Sequence, residues 1–258
     1  MSAGAPPEPL PTRPAADEDV VHALDAVLRQ GSAGARGFPL ALPAALLHQA
    51  YDVLGERRAR ADVDAGASAA RARGVLRLMR LETGRPGDVL VVRESEYADL
   101  ARRALGAAER DPAAARHAGA LREFVDRVLP ERRDLFVPEA AFSDPDHARE
   151  LALLGFLVRK VDAASAGAPP ALWFSVPMLG VFVRELVAGR KALVACVARG
   201  APGATRGELL RGKLPKSLRG SSVAVDWHVR DALGGGMLEC RDSGIEGRRS
   251  LLCLPSPR

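Results

Sequence analysis

The sequence predicts an α+β fold in which one arrangement, helices followed by a β-hairpin, occurs three times along 258 residues. Three glycines mark the repeat, because Gly74, Gly155 and Gly236 each follow a helical pattern and each precede a short apolar strand. Both intervals between them are 81 residues long. Glycine is the usual residue where a helix ends in the left-handed conformation. We therefore expect three tandem domains of similar architecture.

The first unit, residues 19–110, follows a Pro- and Ala-rich segment at 1–18 that we interpret as a flexible tail. Apolar residues three and four apart predict the helices of this unit, and continuous apolar runs predict its strands. The predicted helices cover 20–28, 44–54 and 62–73, and the predicted strands cover 75–81 and 89–92. A turn rich in glycine and proline joins the two strands into a hairpin.

The second unit, residues 111–188, and the third, residues 189–258, repeat this order. In the second unit an apolar stripe covers 121–129, and Asp144 before Pro145 is a strong helix start. A helix at 146–154 and strands at 156–161 and 172–176 follow. In the third unit we predict helices at 191–198, 207–211 and 222–233 and strands at 237–241 and 250–254. Three helices followed by a hairpin is the winged-helix arrangement.

Residues 189–222 concentrate positive charge. They hold eight basic side chains and one carboxylate, Glu208, a net charge of +7 in a chain whose total is +5. A polyanion that met this segment would release counterions and gain affinity without regard to sequence. We predict nucleic-acid contacts here, although such charge also suits a solvated face. The predicted contacts in this basic segment are Arg190, Lys191, Arg199, Arg206, Arg211, Lys213, Lys216 and Arg219.

The winged-helix arrangement adds candidates, because its third helix enters the major groove and its hairpin can touch the neighbouring backbone. In the third unit these elements would present Arg230 from the helix and Arg248 and Arg249 from the hairpin. His228 on the same helix suits either a groove contact or a core position. The third helices of the other units carry Arg71 and Arg73, and His147 and Arg149. Winged helices also serve as protein-interaction modules, so the fold alone does not prove nucleic-acid contact.

Several classes of function lack support in the sequence. Phosphoryl transfer needs a glycine-rich loop, a paired lysine and metal-binding acids, and none is present; the run 228–231, His-Val-Arg-Asp, only superficially resembles a kinase catalytic loop. The three cysteines are widely spaced and no histidine stands at zinc spacing, so we predict neither catalytic residues nor a metal or other cofactor. The uncharged stretch 163–183 contains three prolines, and we predict no membrane association.

Three segments resemble, in order and spacing, the serine/threonine-protein kinase 19 family. They are Trp-Phe-Ser-Val-Pro at 173–177, Leu-Val-Ala-Gly-Arg-Lys-Ala-Leu at 186–193 and Trp-His-Val-Arg-Asp-Ala-Leu-Gly at 227–234. The resemblance covers residues 120–258 and, more weakly, 40–105. Arg190, Lys191 and Arg199 match the basic surface of the family, whereas the later cations of the basic segment are inferred from charge.

Despite its name, that family is understood as tandem winged-helix, nuclear DNA-binding proteins of transcription-coupled nucleotide excision repair. The resemblance implies contacts with double-stranded DNA near a stalled RNA polymerase II. It also implies repair partners that include a general transcription factor and a ubiquitin ligase, and a nuclear location. Whether the protein forms a homodimer is left open.

Two hypotheses remain for the basic segment. In the first, its cations contact phosphates of double-stranded DNA with little sequence preference. In the second, the winged helices form a protein-interaction adaptor whose basic segment docks an acidic protein partner. We favour the first.

Overall fold

The computed structural model describes residues 16–33, 38–55, 58–159, 170–200, 204–205, 218, 221–241 and 251–255. The helices are α1 (Ala16–Ala33), α2 (Gln49–Leu54), α3 (Arg60–Ala72), α4 (Glu94–Arg110), α5 (Ala118–Glu123), α6 (Leu129–Glu131), α7 (Pro145–Leu153), α8 (Leu179–Gly200) and α9 (Val225–Gly234). The strands are β1 (Ala45–Leu46), β2 (Leu76–Arg80), β3 (Val89–Arg93), β4 (Phe136–Pro138), β5 (Leu157–Arg159), β6 (Ala171–Phe174), β7 (Ala204–Thr205), β8 (Glu239–Arg241) and β9 (Leu251–Cys253). The α+β class is confirmed.

Three antiparallel sheets of three strands each lie within the described ranges, with strand orders β1–β3–β2, β4–β6–β5 and β7–β9–β8. The predicted hairpin pairs β2–β3, β5–β6 and β8–β9 are confirmed. In each sheet the last strand in sequence is central, and its second neighbour is a strand of two or three residues that comes earlier in the chain. The three sheets therefore share one topology.

The ends of three helices repeat the same hydrogen bonds at an interval of 81 residues. Gly74, Gly155 and Gly236 have φ of 73°, 82° and 67°, as the left-handed ending requires. The amide after each glycine donates to the carbonyl five residues before it, from Val75 to Ala70, from Phe156 to Leu151 and from Met237 to Ala232 at 2.9, 2.9 and 2.8 Å. Each glycine amide also donates to the carbonyl three residues before it, in the Schellman pattern. The repeat in the sequence thus reflects a repeat of backbone geometry.

The helices differ from the prediction at several places. α1 begins at Ala16, within the predicted tail 1–18. α2 covers only the second half of the predicted helix 44–54, because Ala45–Leu46 form β1 instead. α8 is one helix of 22 residues, so the predicted boundary at 188/189 between the second and third units falls inside it. α4 follows directly on β3, was not predicted, and ends at the other predicted boundary, 110/111. The predicted helix 207–211 lies outside the described residues.

The units pack against one another. One hydrophobic cluster contains residues of α1, the first two sheets and the start of α8, and it extends to Trp227 on α9. The indole of Trp227 meets the ring of Phe182 edge-on at 5.6 Å. A second, smaller cluster joins α8, α9 and β9 through Leu193, Val229 and Leu252. No helix among the described residues combines the length and the apolar character that crossing a membrane requires.

Candidate nucleic-acid interface

Arg190 lies in the middle of α8 and its side chain is only 6% exposed. Nε and Nη2 donate to the two carboxylate oxygens of Asp231 at 2.8 and 2.7 Å, and Nη1 donates to Oδ2 of Asp88 at 2.5 Å. Both carboxylates are buried as well. Two internal carboxylates occupy the donors of Arg190 that a phosphate would need, which argues against the predicted nucleic-acid contact at this residue.

The charges of this pair are stable inside the protein. Burial alone would lower the pKa of Arg190, but hydrogen bonds and charges of Asp231 and Asp88 outweigh it and raise that pKa above its ordinary value. Burial would likewise raise the pKa of Asp231, but hydrogen bonds from Arg190 and His48 lower it. Arg190 and Asp231 therefore both remain ionised, and each neutralises the charge of the other.

Residues of the first unit complete this buried network. His48 meets Oδ1 of Asp231 through Nε2 at 2.7 Å, and Gln49 donates from Nε2 to the carbonyl of Trp227 at 3.0 Å. The indole Nε1 of Trp227 donates to the carbonyl of Ala44 at 3.2 Å. These bonds fasten α9, late in the chain, to the segment that carries β1 and α2.

α9 is the helix that was predicted to enter the major groove, and it lies instead against α2 and α8. His228 is fully buried, and burial lowers the pKa of its imidazole to about 4, so the ring is neutral. The imidazole ring of His228 lies against Gly189. A Cβ atom added to Gly189 would come within 2.2 Å of Cε1 of that ring. The backbone of His48 approaches Gly234 just as closely, since a Cβ atom added to Gly234 would lie 1.9 Å from the carbonyl oxygen of His48. Of the two predicted positions for His228, the structure supports the core.

Arg230 is also engaged within the protein. Its Nη1 lies 3.5 Å from Oδ2 of Asp52 and its Nε lies 3.4 Å from Oδ2 of Asp226, and 18% of its side chain is exposed. Two carboxylates thus reduce the charge that Arg230 could offer to a polyanion. The run 228–231 does not form a catalytic loop, because it lies within α9 and both His228 and Asp231 are buried.

Of the basic segment as described, Lys191 presents an exposed side chain on α8. Arg199 belongs to the same helix, but its side chain lies outside the described part. The other predicted contacts fall outside the described residues. These are Arg206, Arg211, Lys213, Lys216, Arg219, Arg248 and Arg249.

In each of the first two units, one of the two predicted groove-facing residues is engaged within the protein and the other is exposed. On α3, Arg71 donates through Nη1 to the carbonyl of Arg133 at 2.6 Å. On α7, His147 pairs with Glu123, whereas Arg149 is exposed. Arg73, at the end of α3, and Arg149 on α7 are the exposed cations among these candidates.

Sequence reasoning missed a second buried arginine, Arg77. It lies in β2, is 2% exposed, and donates through Nε and Nη2 to both carboxylate oxygens of Glu94 at 2.8 Å. Its guanidinium stands 4.3 Å from the ring centre of Phe174 in the second sheet. The signal was present, since an arginine within a continuous apolar strand must be paired when that strand is buried.

Two comparisons with known proteins found similar sequences. A protein named "Winged helix repair factor 1" from Xenopus laevis is 29% identical over 205 residues, which cover 77% of this chain and 70% of that protein. A family described as "Inactive serine-threonine protein kinase 19" matches residues 35–213, more than half of the chain. Its description as inactive confirms the prediction that this protein is not an enzyme. With the helix-then-sheet order already established, the chain belongs to the inactive serine-threonine protein kinase 19 family.

Proposed function

We propose that this protein binds double-stranded DNA without sequence preference, through three tandem winged-helix domains, and acts in DNA repair. The observation that carries the proposal is the charge of the basic segment. Arg190 is paired with Asp231 and Asp88, but residues 189–222 contain seven further basic residues and a single carboxylate, Glu208. Charge of this density binds phosphates in any sequence.

Burial of α9 supports the lack of sequence preference. Base reading needs a helix whose side chains reach the edges of base pairs in the major groove. In α9 the side chains of Trp227, His228 and Asp231 are instead turned into the protein. Phosphate contacts from the segment between α8 and α9 then carry the affinity, and such contacts position a protein on DNA without reading it.

Three shared sheet topologies and three Schellman endings support domains at 19–110, 111–188 and 189–258, with α8 common to the last two. Family membership and the name of the Xenopus relative support a role in repair. We extend this to transcription-coupled nucleotide excision repair in the nucleus, near a stalled RNA polymerase II, with a general transcription factor and a ubiquitin ligase as partners.

The test is fluorescence anisotropy of the purified protein on a labelled duplex of arbitrary sequence at several salt concentrations. If about five phosphates are neutralised, the logarithm of affinity should fall against the logarithm of salt with a slope of about −4 to −5. Lys213→Glu with Lys216→Glu should weaken binding on every duplex alike. Arg103→Glu with Arg110→Glu makes the same charge change on exposed positions of α4 and should have little effect.

A flat salt dependence, or equal losses in the two double variants, would remove the DNA proposal. The result would then favour the adaptor hypothesis, in which an acidic protein meets the basic segment. The variants leave Arg190 unchanged, because its loss would disturb the fold and confuse the two explanations.

A further inference from the structure

Two cavities follow one another along α8, with volumes of about 390 and 430 Å³. From α8 the first is lined by Leu179, Gly180 and Val183, and the second by Val187, Val194 and Ala195. Residues spaced three or four apart lie on one face of a helix. The two cavities therefore share one face of α8, and the stretch from 179 to 195 is about 24 Å long at 1.5 Å per residue.

The opposite wall is also shared, because the β2–β3 hairpin lines both cavities. Arg80 and Glu82 border the first cavity, and Thr83, Gly84 and Arg85 border the second. Trp173 also lines the first cavity, and Met237 also lines the second. We name this depression between α8 and the hairpin the α8 groove.

Contacts with other parts of the protein hold the β2–β3 hairpin in place. Arg85 donates through Nη2 to the carbonyl of Gly235 at 2.6 Å, and Asp88 at the end of the turn is held by Arg190 at 2.5 Å. At the other end the guanidinium of Arg80 stands 5.4 Å from the ring centre of Trp173. A groove held in this way needs little reorganisation to bind a ligand, which favours affinity.

Two apolar side chains of the α8 groove do not pack in the core. Val187 and Val194 are partly exposed and belong to neither hydrophobic cluster of the described residues. They lie seven residues apart, two helical turns, on the same face of α8. A repeated apolar side chain at this spacing is what an amphipathic helix of a partner can pack against.

The rim of the α8 groove carries an excess of positive charge. Arg80, Arg184 and Lys191 are exposed, and Arg184 and Lys191 are seven residues apart on one side of α8. Arg85 adds a cation whose guanidinium also binds a backbone carbonyl. The opposing carboxylate on the hairpin is Glu82. An acidic partner would therefore complement the rim.

We propose that the α8 groove binds an acidic amphipathic helix of a protein partner. The apolar face of that helix packs on Val183, Val187 and Val194, and its Asp and Glu residues face Arg184 and Lys191. A second copy of this chain fits less well, since a two-fold interface on this surface would bring its cations together. A nucleic-acid strand fits less well too, because phosphates would be placed against aliphatic side chains.

The test is selection of 16-residue peptides from a random display library on the intact protein, followed by binding measurements with the enriched peptides. We expect an excess of Asp and Glu and apolar residues at spacings of three, four and seven. Val187→Asp should weaken those peptides about tenfold or more, the effect of losing a central contact. Arg184→Glu should weaken them less, and Arg103→Glu on α4 should leave them unchanged.

Three results would overturn the proposal: selection that yields no binders or only basic or unpatterned ones, peptides that bind Val187→Asp undiminished, and a dimer that Val187→Asp dissociates. If Val187→Asp does not fold, the charge contacts provide the test instead. Binding should then be weaker for Arg184→Glu, and weaker for peptides in which Glu is replaced by Lys. Affinity for duplex DNA is measured on the same variants. It should be unchanged in Val187→Asp, so loss of the peptide site and loss of DNA binding are separate outcomes.

Discussion

Arg190 and Asp231, 41 residues apart in sequence, form a buried ion pair through two parallel hydrogen bonds of 2.8 and 2.7 Å. The pair joins α8 to α9, and through Asp88 and His48 it also joins both helices to the first unit. An arginine that counts as surface charge in the sequence thus holds the interior of the protein together.

Arg190→Ala should lower the free energy of unfolding by about 3–5 kcal/mol, because Asp231 and Asp88 would be left buried without their cation. Lys191→Ala is the matched control, since the neighbouring side chain is exposed and its loss should change stability by about 0.5 kcal/mol or less. Urea unfolding followed by circular dichroism measures both. Equal midpoints for the two variants would contradict the role assigned to Arg190.

Gly189→Ala should destabilise the protein by about 1–3 kcal/mol, since the new Cβ would meet the ring of His228 and force α8 and α9 apart. Gly180, on the same helix, has no atom within 4 Å of an added Cβ. Gly180→Ala should therefore be neutral or stabilising by about 0.5–1 kcal/mol through helix propensity. Thermal unfolding of the two variants gives the comparison, and a shift of the same sign in both would refute the close-approach argument.

Acid should weaken the fold through His228. The unfolded chain takes up a proton on this residue near the ordinary histidine pKa of about 6.5, whereas burial lowers the pKa in the folded state to about 4. Between these values only the unfolded state binds the proton, so stability falls as pH falls through that window. At about 1.4 kcal/mol for each pKa unit, the total loss is on the order of 3 kcal/mol.

Urea unfolding at several values between pH 7 and pH 4.5 measures this slope. His228→Gln should show a smaller decline over the same range, because it lacks the titrating group. Identical slopes in the two proteins would show that burial of His228 is not the cause.

The helix endings allow a fourth prediction. Gly236→Ala should cost about 1–2 kcal/mol for the left-handed backbone alone, since nothing lies within 4 Å of an added Cβ. Gly155→Ala should cost more, because its Cβ would also lie 3.1 Å from Cα of Pro177. Chemical unfolding of both variants tests the order, and a smaller loss for Gly155→Ala would be inconsistent with the contact.

The sequence predicted the elements that have a strong local pattern. Gly74, Gly155 and Gly236 identified three helix endings because glycine is required by a backbone geometry that is fixed within a few residues. The strands β1, β4 and β7 were missed, because runs of two or three residues have no readable period. α4 was missed although Tyr97, Leu100 and Ala101 on it are buried at helical spacing, so its signal was available.

The candidate site was less predictable, because charge counting does not distinguish a buried cation from an exposed one. Arg190 and Lys191 are neighbours, yet one is bound to two carboxylates and the other is exposed. What separates them is the contact with Asp88 and Asp231, and such long-range pairing leaves no local pattern. The same holds for α9, whose burial depends on α2, more than 170 residues earlier in sequence.

The packing of α9 on α2 also constrains how the protein is made. The ribosome synthesises α2 more than 170 residues before α9, so Gln49 and the carbonyl of Ala44 lack their partner Trp227 during that interval. A nascent chain is most exposed to aggregation and to chaperones in such an interval. A premature stop codon between the two helices would leave that face uncovered, and we expect proteolysis to remove such a product.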